Sequence, residues 1–389
     1  MKNYTVSSSI LSLVKECMFF NEGSGVKSLP LSCVHETKVK NKFIYSITGS
    51  EGDKINHIHE ALNRSLFSRI PVNQSATAYV KNKTYLNFLE PHRNHYHYLR
   101  VDLKNFFHFI SDKIVRESLK EHVSTSNISE TCSQSHLDLV TSLVTYTLPK
   151  SAKNTDFVGR SILPIGFKTS PLISNIVFRK LDILIEKFCS EHNITYTRYA
   201  DDMLFSSSTM RDGKYREKTP FDGVLGIKDK KPFVHSQRFI EQLSFIINID
   251  GYKINRRKTI KKSGYISING YFIEGSNYPY IIGELRVSNK KTKVVSKLIY
   301  ECSTDKSDRE ILKAVFNVDV EKLKFRFNPK DSFKDEYSKS QINNKLIGYR
   351  SYLISLIKFN DCTQSMNKDF INKCSKLISD IELIINRRM

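Results

Sequence analysis

The sequence predicts an α+β protein, and three observations carry that reading. Runs rich in β-branched and aromatic residues, such as "YHYLRVDL" (96–103) and "ITYTRYADDMLFSS" (194–207), alternate with runs of helical apolar spacing. After residue 276 or so the strands give way to Lys-rich, mostly helical segments. A 40% hydrophobic content over 389 residues suffices for two or three cored domains or subdomains.

In chain order, residues 1–30 begin with a helical pattern and turn loop-like at "NEGSG". From Val34 to Ser50 two short strands flank "KVKNK" and end in the turn-prone "GSEGD". "KINHIHEALNRSLFSRI" spaces Ile55, Ile58, Leu62, Leu66 and Ile70 as a helix. "YHYLRVDL" alternates as a strand, and "FISDKIVRESLKEHV" is the following helix with Ser111 as its N-cap. In "LPIGFKTSPLISNIVFRKLDILIEKFC", Ser170 is a second N-cap candidate with Pro171 at the first helical position. Ile173, Ile176, Val177, Leu181 and Leu184 form its core-facing stripe. Residues 209–235 are polar, charged and Gly/Pro-bearing, a loop insertion, and "FIEQLSFIINIDGYKIN" is a helix, a turn and a strand.

The chain carries 61 Lys+Arg against 40 Asp+Glu, a formal net charge of +21. Charge of that size points to a polyanionic partner, most simply nucleic acid, over a merely soluble basic protein. Seven scattered cysteines without a C-x-x-C pair argue against a disulfide framework or a zinc site and favour a reducing, cytoplasmic setting. No apolar run approaches the roughly 20 residues that span a bilayer, so no membrane association is expected. "SILSLV" is broken at once by Lys15 and Glu16, unlike a signal peptide.

The chemistry concentrates in "ITYTRYADDMLFSS". β-rich runs on both sides of Asp201 and Asp202 predict a hairpin with the two acids at or beside its tip. Alone, such a pair is an ordinary solvated turn. Asp102, however, ends an apolar strand, where an unpaired charge is costly. If that strand lies beside the hairpin, three carboxylates converge, and such a cluster needs cations to neutralise it. Two Mg²⁺ ions on carboxylate oxygens would do so, as phosphoryl transfer uses them.

"YADD" (199–202) resembles the catalytic signature of reverse transcriptases. "RVDLKNFF" resembles the family's first catalytic motif, "LPIGFKTSPLISN" its second, and "YTRYADDMLFSS" its third. "GYKINRRKT" resembles its fourth, "SINGYFIEG" its primer-grip hairpin, and "IGYRSYLISL" (347–356) its helical thumb segment. The resemblance implies the right-hand polymerase fold: an N-terminal region and fingers at 1–95, a palm at 96–275 and a helical thumb region at 276–389. The palm would be an antiparallel sheet with helices on one face, carrying an inserted fingers segment near 120–170.

By that resemblance, Asp102, Asp201 and Asp202 are the metal ligands, together with the backbone carbonyl of Leu103; Asp202 matters less directly. Phe107 would stack under the nucleotide sugar and exclude a 2′-hydroxyl, with core packing as the competing reading that Phe106 and Phe109 also carry. Gly166 would let the backbone approach the nascent base pair, and Lys258 would protonate the departing pyrophosphate. Lys40, Lys42, Arg64 and Arg69 are equal candidates to hold the triphosphate. Lys253, Arg256, Arg257, Lys261 and Lys262 surround Lys258 as a nucleic-acid face or a solvated one. His92, His95 and His97 lack partners at zinc spacing, so a strand-face or RNA-contacting role is expected.

The chain also departs from its relatives. Ile165 stands where most reverse transcriptases have Gln, "NFLEPH" does not reproduce the retron Asn-Ala-x-x-His element, and "INGY" replaces Val-Thr-Gly. These departures tilt the expectation toward a defence-associated bacterial enzyme that copies a dedicated structured non-coding RNA into DNA from dNTPs. The alternatives are a retron-type enzyme making msDNA and a catalytically silent RNA-binding scaffold. Protein-primed or non-templated synthesis, a homo-oligomer and a partner protein of a defence system all stay open.

Overall fold

A computed structural model describes residues 3–40, 42–208, 232–276 and 282–388. The chain divides into two compact units, residues 1–88 with 98–261 and residues 89–97 with 262–389.

The first unit opens with α1 (Ser8–Lys15), the antiparallel pair β1 (Val34–Val39) and β2 (Lys42–Ile47), and α2 (Ser50–Ser65). "GSEGD" is therefore the start of a helix: Gly49 takes φ 89 and α2 begins at the next residue. α3 (Leu86–Leu89) precedes β3 (His97–Asp102), α4 (Phe106–Phe109) and α5 (Asp112–Lys120). The Ser111 hydroxyl accepts from the Ile114 amide, the expected cap. β4 (Asn127–Ser129), β5 (Cys132–Ser135), α6 (His136–Val144), β6 (Tyr146–Thr147) and β7 (Ser161–Ile162) lead to α7 (Ser170–Glu191). Here Ser170 is not the cap: it is already helical, Thr169 precedes it, and its hydroxyl donates to the Pro164 carbonyl at 2.6 Å.

β8 (Thr195–Tyr199) and β9 (Asp202–Ser207) are the antiparallel hairpin. Residues 209–231 of the expected loop insertion lie outside the described residues, and Phe233–His235 form a short 3-10 turn. α8 (Gln237–Asn248) follows, then β10 (Ile260–Ser263). The strand expected in "GYKIN" is reduced to one bridge between Leu103 and Ile254, because the segment pairs with the chain just after β3 only there.

The central sheet has the order β10-β3-β9-β8. Strand alternation gives it two unlike faces. Leu99, Val101, Tyr196, Met203 and Phe205 enter one core cluster with Ile173, Phe178 and Leu181 of α7 and Phe239 and Leu243 of α8. The opposite register positions of β3 and β9 carry Arg100, Asp102 and Asp202.

In the second unit, β11 (Tyr265–Ile268) and β12 (Tyr271–Glu274) form a hairpin joined by Asn269 and Gly270, both at positive φ, the turn that Asn-Gly favours. β13 (Glu284–Val287) adds a strand beyond the expected strand-to-helix change at 276. α9 (Asn289–Cys302), α10 (Asp308–Phe316), α11 (Asp331–Thr363) and α12 (Lys368–Arg388) complete it, with "IGYRSYLISL" inside α11. All seven cysteines are free thiols. Among the described residues no helix is long and apolar enough to cross a membrane.

Candidate active site

Asp102 closes β3 and is only 6% exposed. Asn255 holds it twice, donating its amide to the Asp102 carbonyl at 2.7 Å and its side-chain NH₂ to Oδ1 at 3.1 Å. Lys258 donates Nζ to Oδ2 at 3.1 Å while its own side chain remains 57% exposed. The Lys104 amide bonds the Lys253 carbonyl at 2.9 Å, so the segment leading to Lys258 is fixed alongside β3.

The hairpin tip lies against the same point. Tyr199 pairs with Asp202 across the strands, leaving Ala200 and Asp201 as a two-residue loop. Ala200 takes φ 56, a left-handed conformation that favours glycine. Arg198 supports it from beneath: its Nη1 donates to the Ala200 carbonyl at 3.1 Å. Nε and Nη2 of the same guanidinium bond both oxygens of Asp182 on α7 at 2.8 and 2.7 Å, and both side chains are fully buried. The Leu103 amide then donates to the Asp201 carbonyl at 3.0 Å, joining the end of β3 to the tip.

Asp102 and Asp201 are thus brought together across almost a hundred residues, and their charges interact. Burial raises the Asp201 carboxyl above its ordinary range; Lys42 opposes the rise, and the charges of Asp102 and Asp202 add to it. Asp202 does not join them. Arg100 grips both its oxygens, with Nη2 at 2.8 and 2.7 Å and Nε at 3.1 Å. The expected three-carboxylate cluster is therefore two carboxylates plus an Arg100–Asp202 ion pair, because Asp201 is a loop residue while Asp202 already follows the strand pleat.

Of the aromatic trio, Phe106 is the buried one, edge-on to Phe178 and tilted against Tyr252; Phe107 is only partly buried. Gly166 has a reason internal to the protein. At φ 114, an added Cβ would stand 2.4 Å from the Tyr45 carbonyl oxygen. The Ile165 carbonyl accepts from the Tyr45 amide at 2.7 Å. Among the four basic candidates, Lys42 is the one whose charge acts on Asp201. His92 is fully buried and His95 half-buried, and burial lowers both imidazoles; the buried His92 is not a surface group. Lys253, Arg256, Arg257 and Lys261 are exposed.

Sequence reasoning passed over Arg100, Asn255, Arg198 and Asp182. Arg198 did carry a signal: strand alternation puts it on the same face as Tyr196, and a buried charge requires a partner.

The family implies divalent ions, and the donor chemistry can be tested against them. Among the described residues no group of three or more His, Cys, Asp or Glu side chains forms a metal site. Two carboxylates are what is present, and Mg²⁺ is commonly held by one or two carboxylates together with substrate phosphates and water. The raised Asp201 carboxyl, crowded by like charge, is the state a cation would relieve. Asp102 and Asp201 fit on these grounds, while both oxygens of Asp202 are engaged by Arg100.

Comparison with known proteins agrees with the sequence motifs. Retron Ec83 reverse transcriptase of Escherichia coli is 25% identical over 333 residues, covering 84% of this chain and 93% of the relative. Retron Ec73 reverse transcriptase of Escherichia coli is 32% identical over 160 residues, 40% of this chain and 47% of the relative. Retron Mx162 reverse transcriptase of Myxococcus xanthus is 26% identical over 215 residues, 53% and 40%. Among solved structures, telomerase from Candida albicans, in complex with a fragment of telomeric RNA, aligns over 93% of this chain and 65% of its own with TM-score 0.42 and 11% identity. The reverse transcriptase (RNA-dependent DNA polymerase) family matches residues 43–263, more than half of the chain. The chain belongs to that family and has its right-hand polymerase fold.

Proposed function

We propose that this reverse transcriptase extends a primer with dNTPs at Asp102 and Asp201, which would hold the divalent ions. The observation that carries the reading is the joining of β3 to the hairpin tip, which brings Asp102 and Asp201 together with Lys258 bonded to Asp102 and the charge of Lys42 acting on Asp201. The ions, when bound, would activate the primer hydroxyl and steady the departing pyrophosphate. Lys258, half in solvent and held at Asp102, is the proton donor to pyrophosphate in this reading. Lys42 is the triphosphate-binding residue. Phe107 lies under the incoming sugar and selects the deoxy form, and Gly166 and the Leu103 carbonyl border the nucleotide. Asp202, with Arg100, keeps β9 in place on β3.

In the same reading the fingers occupy residues 1–95, the palm 96–275 and the thumb region 276–389. The template is a structured non-coding RNA and the product DNA, made in the cytoplasm as part of antiphage defence. The names of the relatives favour a retron-type system over a separate defence class.

Asp201→Asn tests the core of the proposal. It should abolish dNTP incorporation while RNA binding, read by fluorescence anisotropy, is kept. Full incorporation by that variant ends the assignment. It would also separate an enzyme from a silent scaffold, since a scaffold has no incorporation to lose.

A further inference from the structure

We infer that Tyr79 is a positioning residue whose ring packs against the end of the nucleic-acid duplex beside Asp201. The inference rests on reading Asp102 and Asp201 as the polymerase carboxylates. Ala76 bridges Arg198 in parallel, the Arg198 amide bonds the Ser75 carbonyl at 2.8 Å, and the Thr77 amide bonds the Arg198 carbonyl at 2.8 Å. Three residues further along these parallel segments come Tyr79 and Asp201. Burial, and then the charge of Asp201, raise the Tyr79 hydroxyl, so the two side chains sense each other and the phenol stays protonated.

The segment is rigid. Lys83 Nζ bonds the Gln74 and Ala76 carbonyls at 2.7 and 3.0 Å, and the Asn175 side chain bonds the Ala78 carbonyl at 2.7 Å. In this frame Tyr79 takes φ 59. A bulky residue there is strained, and strain of this kind persists where the surroundings impose it, above all at functional sites. Core packing does not account for it, because the side chain is 43% exposed. No described residue hydrogen-bonds its hydroxyl. An exposed, fixed aromatic face next to the reacting carboxylates suits a pentose or base at the duplex end.

The surface touched belongs to the template strand or to the primer strand, and the test separates them. The probe is a DNA primer annealed to an RNA or to a DNA template of one sequence, with a second primer ending in a ribonucleotide. Tyr79→Gly and Tyr79→Asn both accept the left-handed backbone, so their thermal midpoints should stay near the parent's. Their KM and Kd for the primer–template should rise about tenfold, the scale of one stacking contact, with KM for dNTP changed far less. Tyr79→Phe should recover most of that loss. A template contact makes the loss differ between RNA and DNA templates; a primer contact makes it differ between the two primer ends. KM and Kd close to the parent's in both variants, or a loss that only tracks the thermal midpoint, overturns the inference. Kd is read without nucleotide, so it decides Tyr79 even if Asp201→Asn remains active and the polymerase reading fails.

Discussion

Arg198→Met is the sharpest probe of how the hairpin tip is built. The substitution keeps an unbranched apolar stem but deletes a fully buried guanidinium. It leaves the Asp182 carboxylate with a single partner among those it has now, the Tyr196 hydroxyl at 2.8 Å. Breaking a buried pair from one side costs about 3–5 kcal/mol, since an uncompensated charge stays inside. For a unit of this size, about 2–4 °C of thermal midpoint is lost per kcal/mol, so a fall of roughly 6–20 °C is expected. Scanning calorimetry and urea unfolding of parent and variant measure it. The double variant Arg198→Met/Asp182→Leu removes both charges and should recover most of the stability, because apolar replacement of a whole buried pair is often neutral or favourable. It cannot restore the bond from Arg198 to the Ala200 carbonyl, so primer extension should stay depressed. A single variant that loses less than about 1 kcal/mol, the scale of an exposed pair, refutes the energetic argument. A double variant with parental extension refutes the claim that Arg198 positions Asp201.

Three further outcomes are expected. Lys42→Ala removes a positive charge that lowers the Asp201 carboxyl. The acid limb of the pH–rate profile should move to higher pH, and Lys42→Arg should restore it. The linked stability follows the same sign. A carboxyl raised on folding costs stability once pH exceeds its folded value and costs none below its unfolded value. Lys42→Ala should therefore lower the thermal midpoint at neutral pH and not at strongly acid pH; equal losses at both would show that Lys42 acts by packing. Phe107→Ala should admit ribonucleotides, with the rNTP-to-dNTP ratio of kcat/KM rising by at least about tenfold, and an unchanged ratio would return Phe107 to the core beside Phe106. Sequencing the nucleic acid that co-purifies with the chain should yield one abundant structured RNA with DNA copied from it; a random mixture would argue against a dedicated template.

The amino-acid sequence by itself determined the strands and helices that frame the site, and its chemistry. The alternation of "YHYLRVDL" and of the runs flanking the two aspartates is written in side chains that pack on one face of a strand, a local property with a period of two. The same holds for the Asn-Gly hairpin and the Ser111 cap, which depend on residues a few positions apart. Where the reading failed, the deciding contact came from far along the chain. Ser170 gave up its capping role to the Pro164 carbonyl, and "GYKIN" kept a single bridge because its partner is Leu103. The tertiary structure alone decided which acids meet. Asp201 and Asp202 are neighbours in sequence, yet one occupies a loop against Asp102 and the other enters a strand against Arg100. It also singled out Lys42 from four equal cations, and set Asp182 under Arg198. Coulomb and hydrogen-bond energies act through space over a few ångströms, so the partner of a charge is fixed only once the chain has folded around it.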